Sequence, residues 1–196
     1  MSAILIRPAT QADIPAITRI YQHAVRHGTA SFELEPPDEA EMARRMKAVL
    51  DGNFPYFVAE IGDQNGKHVA GYAYVSAYRT RPAYRFTVEN SVYVAPEMHR
   101  RGIGKILLLK LIEDCTARGF RQMIAVIGDS NQAASIGVHK ACGFAPAGNL
   151  KSIGWKFGQW LDTPLMQLAL GPGASTPAPD HGGTPRKSGT PSDNLH

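Results

Sequence analysis

Glu89 is an acid inside a largely apolar run, Val88 to Ala95 (VENSVYVA). A carboxylate there either pairs with a cation, with Arg81 or Arg85 at hand, or accepts a proton. Partial burial would raise its pKa toward a value useful to a base. Just upstream, YRTRPAYR (78–85) gathers Arg79, Arg81 and Arg85 around Tyr84. Arginine forks grip carboxylates and tetrahedral oxyanions through paired hydrogen bonds; the same residues also make an ordinary solvated loop. Just downstream lies His99-Arg100-Arg101-Gly102-Ile103-Gly104-Lys105. Between a strand and a helix, such a turn presents free backbone N–H groups at the positive end of the helix dipole. Gly102 and Gly104 let an anion approach without a Cβ in the way, and Arg100, Arg101 and Lys105 add charge. That is a phosphate site, or else a tight turn with a basic rim.

The flanking elements must supply that geometry. Phe86 to Ala95 alternates as a strand and Pro96 ends it. Lys105 to Arg118 puts Leu108, Leu111, Ile112 and Cys115 on one helical face, with Gly119 as its stop. Upstream, Ala3 to Arg7 reads as a strand, and Thr10-x-x-Asp13 caps a helix with Ile14, Ile17, Tyr21 and Val25 at helical spacing. TASFELE (29–35) is a connecting loop, and Asp38-x-x-Glu41 caps a second helix carrying Met42, Met46, Val49 and Leu50. Tyr56 to Ile61 and Val69 to Ala77 form a hairpin. Gln122 to Ile127 is a buried strand parallel to the central one, reached by the helical crossover. Asp129, Ser130 or Asn131 caps a further helix to Gly143, and Phe144–Ile153 and Lys156–Leu170 close the chain as strands. The expected fold is α+β, a mixed and mostly antiparallel sheet of about seven strands flanked by about four helices.

Composition narrows the classes. With 43% hydrophobic and 19% charged residues over 196 positions, residues 1–170 suffice for one domain with a real core. The net charge of +4 suits an anionic ligand, and no long basic run or interleaved aromatic stripe points to nucleic acid. MSAILIRPAT lacks the apolar core of a signal peptide, and no stretch is long enough to span a membrane. The two cysteines, Cys115 and Cys142, fall on helix faces outside any CxxC pattern, as reduced thiols of a cytoplasmic protein would. His23 and His27 lie one turn apart without a third ligand, so no metal is expected. From Gly171 to His196 the chain is rich in Gly, Pro, Ser and Thr, and disorder is expected.

The glycine turn and its flanks resemble the GCN5-related N-acetyltransferase superfamily, whose motif is Gln/Arg-x-x-Gly-x-Gly/Ala between a strand and a helix. Gly102 and Gly104 match the glycines, and His99 stands where Gln or Arg is usual. The strings TASFE (29–33), YRFTVENSVYV (84–94) and GWKFGQWLD (154–162) are further similar to the phosphinothricin and methionine sulfoximine/sulfone acetyltransferases. The resemblance implies acetyl-CoA as cosubstrate, its pyrophosphate on Arg100, Arg101, Gly102, Ile103, Gly104 and Lys105. It places the pantetheine arm against backbone groups of Val92, Tyr93 and Val94, with Asn131 bonding its amides and the Val94 N–H polarising the thioester. It makes Glu89 the base and His139, in VHKACGF, the acid that protonates the thiolate. Phe32, Glu33, Arg79, Arg81, Tyr84 and Arg85 become the pocket for a small free amino acid. It also implies a homodimer, with Trp155, Lys156 and Trp160 reaching in from the partner.

Two other readings share this fold. A protein N-terminal or lysine acetyltransferase would need an open groove in place of a closed, Arg-lined pocket. A CoA-binding sensor would have no use for Glu89, Asn131 and His139 together. A P-loop hydrolase is disfavoured, since Gly-x-x-x-x-Gly-Lys-Ser/Thr is absent.

Overall fold

Five antiparallel pairings and one parallel pairing join seven strands in the computed structural model, which describes residues 4–63 and 66–178. The elements are β1 (Ile4–Pro8), α1 (Ile14–His27), α2 (Glu39–Asp51), β2 (Tyr56–Asp63), β3 (Gly66–Ala77), β4 (Thr87–Val94), α3 (Ile103–Ala117), β5 (Gln122–Val126), α4 (Ala133–Ala141), β6 (Ala145–Lys156) and β7 (Gln159–Ala169). The strand order is β1-β2-β3-β4-β5-β7-β6. The expected α+β architecture is the one found.

Local chemistry explains the helix starts. The Thr10 N–H donates to Asp13 at 2.8 Å, and Arg7 forks onto the same carboxylate, fixing the entry to α1. Asp38 accepts the Glu41 N–H at the head of α2. Ile14, Ile17, Tyr21 and Val25 of α1 and Met42 and Met46 of α2 bury one face of the sheet with Tyr56, Val58 and Tyr72. Leu107, Leu108, Leu111 and Cys115 of α3 cover the other face with Val75, Val88 and Met123.

The feature that makes a site is a fork. β4 and β5 pair in parallel only from Thr87↔Gln122 to Asn90↔Ala125. Beyond Asn90, β4 stays with β3 as far as Val94↔Gly71, and β5 stays with β7 as far as Val126↔Leu165. The sheet therefore opens in its middle and leaves one edge of β4 unpaired.

Several boundaries differ from the sequence reading; α4 is capped at Gln132, where Asp129, Ser130 or Asn131 is expected. The closing strands turn at Phe157 and Gly158, not between Ile153 and Lys156. Both turn residues have positive φ, 51° and 75°, the two-residue turn that matches strand twist. Disorder from Gly171 onward also does not hold for the first tail residues. Arg121 donates to the carbonyls of Gly173 and Pro177 and to Thr176 Oγ1, each at 3.0 Å, pinning a segment that has no apolar face. The rest of that expectation, residues 179–196, lies outside the described residues.

Candidate active site

Alternation along β4 divides its side chains between the two faces of the sheet. Val88, Asn90, Val92 and Val94 face α3 and α4, whereas Glu89, Ser91 and Tyr93 face α1 and α2. Because the sheet forks here, both sets meet one cavity of about 180 Å³ that opens between the strands. Glu89, Ser91 and Val92 line it from β4, Gly128 from the turn after β5, and Gln132 and His139 from α4 and the turn before it. The fork thus lets an acid on one face and an imidazole on the other address a single space.

Backbone parity follows from the same register. The Ala95 N–H bonds Ala70 O on β3, so Tyr93 also directs its N–H and C=O toward β3. Val92 and Val94 turn theirs into the fork. Of the three residues expected to offer backbone groups, Tyr93 lines the cavity and directs its own toward β3. His99 Nε2–H reaches the Val94 carbonyl at 3.1 Å, leaving the Val94 N–H as the free group of that residue.

The glycine turn sits at the end of this open edge. Gly102 adopts φ 78° at the N-terminus of α3, where L-residues are strained, and Arg100 has a left-handed φ of 61°. A Cβ on Gly104 would point at the Val94 and Val92 side chains, 3.6 and 3.9 Å away, so the helix start packs on the α3-facing side of β4 next to its open edge.

Burial raises the Glu89 carboxyl above its usual range, and the Arg79 charge opposes this. Arg79 acts from a distance. It, Arg81 and Arg85 are exposed, and among the described residues none faces a carboxylate within ion-pair reach. Arg79 lies over the Tyr78 ring and Arg85 over Phe86, while exposed Tyr84 meets Tyr78 edge to face. The arginines therefore lie exposed ahead of β4 and are not among the residues that line the cavity.

His139 is buried and held at both nitrogens. Nδ1 lies 2.8 Å from Ser135 O, and Nε2 lies 3.0 Å from Asn90 Oδ1. Burial pushes its pKa below the ordinary value, and the Ser135 carbonyl pulls the other way. Asn131, expected at the cofactor, is exposed at the turn before α4; Gln132 beside it lines the cavity.

Residues 28–33 form a strap over the α1 side of the fork. Thr29 Oγ1 donates to Asp129 and accepts from Gln132, and Ala30 touches the cavity. The Phe32 ring rests where a Cβ on Gly154 would stand, 2.2 Å from the ring edge. Glu33, expected in the substrate pocket, accepts from Arg45 and Tyr21 at 2.6 and 2.8 Å and so anchors the strap. Lys156 is 3% exposed and donates to Ser31 O at 2.7 Å. Burial lowers its pKa while Glu33 opposes the shift. Lys156, expected to reach in from a partner, thus engages its ammonium within its own chain.

Residues 17–144 match the acetyltransferase (GNAT) family. The chain belongs to that family. It is 53% identical over 174 residues to a phosphinothricin N-acetyltransferase of Alcaligenes faecalis, covering 89% of this chain and 86% of that protein. It is 41% identical to an L-methionine sulfoximine/L-methionine sulfone acetyltransferase of Pseudomonas paraeruginosa, covering 88% and 98%. The crystal structure of a Sinorhizobium meliloti phosphinothricin acetyltransferase in complex with acetyl-CoA superposes with a TM-score of 0.85 at 48% identity, covering 91% and 94%.

In this acetyltransferase, sequence reasoning missed Asn90, Gln132, Thr29 and Ser31. Their partners lie up to 125 residues away, a separation that leaves no periodic trace. Gly154 and Gly128 carried the available signal. Each stands where another segment comes too close for a Cβ.

Proposed function

We propose that this acetyltransferase transfers the acetyl group of acetyl-CoA directly to the α-amino group of a small free amino acid or analogue, such as phosphinothricin, methionine sulfoximine or methionine sulfone. The observation that carries the reading is the fork, with half-buried Glu89 on one face and His139 on the other. The residues fit the cosubstrate. The free edge at Val92 and Val94 can hold an extended amide-bearing arm as an added strand, and Gly102 to Lys105 can hold phosphates. Bound acetyl-CoA supplies the thioester.

The protein's own groups then manage protons. An α-amine with a pKa of roughly 8 is mostly protonated at neutral pH. Glu89, its carboxylate poised by burial, takes that proton, directly or through water. The Val94 N–H, already aimed into the fork, polarises the carbonyl. The nitrogen gains the acetyl carbon as the carbon–sulfur bond breaks, and His139 returns one proton to the sulfur. The ammonium loses two protons in all, and the thiol regains one. Arg79, Arg81 and Arg85 ahead of β4 meet the α-carboxylate and side-chain oxyanion, while Phe32 and the strap confine the substrate.

A homodimer fits the far edge. Trp155, Phe157 and Trp160 are 56%, 57% and 62% exposed beside Leu150 and Ile153, a patch larger than scattered surface apolar residues make. A second copy of this chain would cover it. The cysteines are free, with burial pushing the Cys115 thiol up to about 12, which suits a cytoplasmic protein.

The test is acetyl-CoA consumption across free amino acids, their oxidised analogues, the matching amides and a peptide. Methionine sulfoximine, methionine sulfone or phosphinothricin should show a higher kcat/KM than methionine, and amides should be poor. Rapid acetylation of peptide N-termini with none of the free amino acids turned over would instead establish a protein acetyltransferase.

A further inference from the structure

Asn90 is the last residue of β4 to pair with β5, and its buried side chain crosses the fork. Its Nδ2–H donates to Ile124 O on β5 at 3.1 Å. A backbone carbonyl only accepts, so this bond fixes the amide orientation and aims Oδ1 at His139 Nε2. The other ring nitrogen also meets a carbonyl, Ser135 O. Both nitrogens thus face oxygens that need a proton from the ring. A neutral imidazole carries one N–H and leaves an acceptor facing an acceptor. Rotating the Asn90 amide moves that clash to Ile124 O without removing it. Only the imidazolium, with two donors, satisfies every member of the chain from Ser135 to Ile124.

We propose that Asn90 is a positioning residue for acetyl transfer, which locks the His139 ring at the fork and holds it as a two-donor cation. Burial opposes that charge and the Ser135 carbonyl favours it; the Asn90 oxygen adds a second acceptor on the other side of the ring. Among the described residues that line the cavity, no other group on the ring's side of β4 carries a charge. Phe144 packs edge to face at 5.0 Å and carries no charge. Of the ionisable residues lining the cavity, Glu89 and Tyr93 lie on the opposite face of β4. A cation at this point would stand ready for the departing sulfur, whichever amino acid is acetylated. The proposal rests on the function above for its consequence in turnover, but not for the protonation itself.

The experiment is an NMR titration of the His139 ring in protein labelled at histidine Cε1, assigned by the signal lost in His139→Gln, alongside kinetics. In Asn90→Leu the ring should titrate at least one pH unit lower than in wild type, the size of a lost charge-assisted bond, about 1.4 kcal/mol. Its kcat should fall about tenfold, short of the ~10²-fold scale of losing an acid outright, with the acetyl-CoA KM changed less than threefold. Asn90→Asp keeps an acceptor toward Nε2. It should bring the titration back to or above the wild-type value and recover most of the lost kcat. An unshifted ring in Asn90→Leu would overturn the proposal. Should that variant not fold, a ring in Asn90→Asp that titrates below wild type would do the same. Wild-type protein that consumes no acetyl-CoA with any amino acid would defeat the function reading, while the titration would still decide the role of Asn90.

Discussion

The two sides of the fork are held by different kinds of bond. Toward α3 the surface is backbone, comprising the unpaired edge at Val92 and Val94 and the helix start at Gly102 and Gly104. Toward α1 and α2 it consists of side chains from distant segments. Tyr21 meets Ser31 and Glu33, Arg45 meets Glu33, and Lys156 reaches Ser31 across 125 residues. Backbone donors are placed by φ and ψ alone, so such a surface ignores most side-chain exchange and fails only where a Cβ intrudes. A side-chain surface must hold rotamers worth up to ~2 kcal/mol each. It can be retuned one residue at a time. Cosubstrate binding is therefore expected to be robust, and amino-acid choice adjustable.

The hardest test of that division is Glu89, the side-chain group with the chemical task. Glu89→Gln should lower kcat by roughly 10²-fold with the fold intact, the scale of a lost general base. Burial raises the carboxyl, so Glu89 keeps its proton to a higher pH than an ordinary glutamate and cannot act as base below that point. Wild-type activity should accordingly rise with pH through this elevated value, and the variant should lack that limb. The deficit should also shrink at high pH, where more amine is already neutral. Near-normal turnover at pH 7 in a folded Glu89→Gln protein would remove this residue from the chemistry.

On the backbone side, Gly104→Val should raise the acetyl-CoA KM about tenfold, ~1.4 kcal/mol. The new Cβ meets the Val94 and Val92 side chains at ordinary contact distances, and the added γ-methyl groups are expected to crowd the helix start where the phosphate would approach. His99→Gln should change that KM little, because Gln can also donate to the Val94 carbonyl. If the His99 change proved the more damaging, the backbone account of this side would fail.

The strap offers a smaller test of the other side. A Cβ on Gly128 would stand 2.2 Å from Thr29 O, so Gly128→Ala must push the strap off the cavity. A severalfold rise in the amino-acid KM is expected, with the acetyl-CoA KM nearly unchanged and a stability loss of about 1–3 kcal/mol. Equal effects on both KM values would show that strap and strand edge are one unit.

The same division explains what could be read in the chain. Strand alternation, the leucine face of α3 and the glycines at 102 and 104 are local patterns, and the fold followed from them. Glu89 stood out as an acid in an apolar strand. The within-chain partners of Glu33, Lys156 and Tyr93 were not legible, because residue type does not reveal which distant group a side chain or backbone meets. Glu33 was claimed by Arg45, Lys156 by Ser31, and the Tyr93 backbone by β3. Asn90 gave no signal, since an amide inside a strand matters only through what crosses the fork to meet it.

The smallest expected effect is at the far end of β5, where Arg121 clamps the start of the tail. Its N–H bonds Phe86 O, the end of the β4–β5 pair away from the fork, so this contact has no path to the cavity. Truncation after residue 172 removes three hydrogen bonds from the guanidinium. Two of them are exposed, and water replaces a bond lost at the surface, so the net cost should be about 1 kcal/mol in place of the sum of three. For a domain of this length that lowers Tm by roughly 2–4 °C. Truncation after residue 178 keeps all three bonds and should leave Tm where it was. Neither change should move kcat or either KM. A tail deletion that altered amino-acid KM would mean that the two sides of the fork are not the only surfaces that set it.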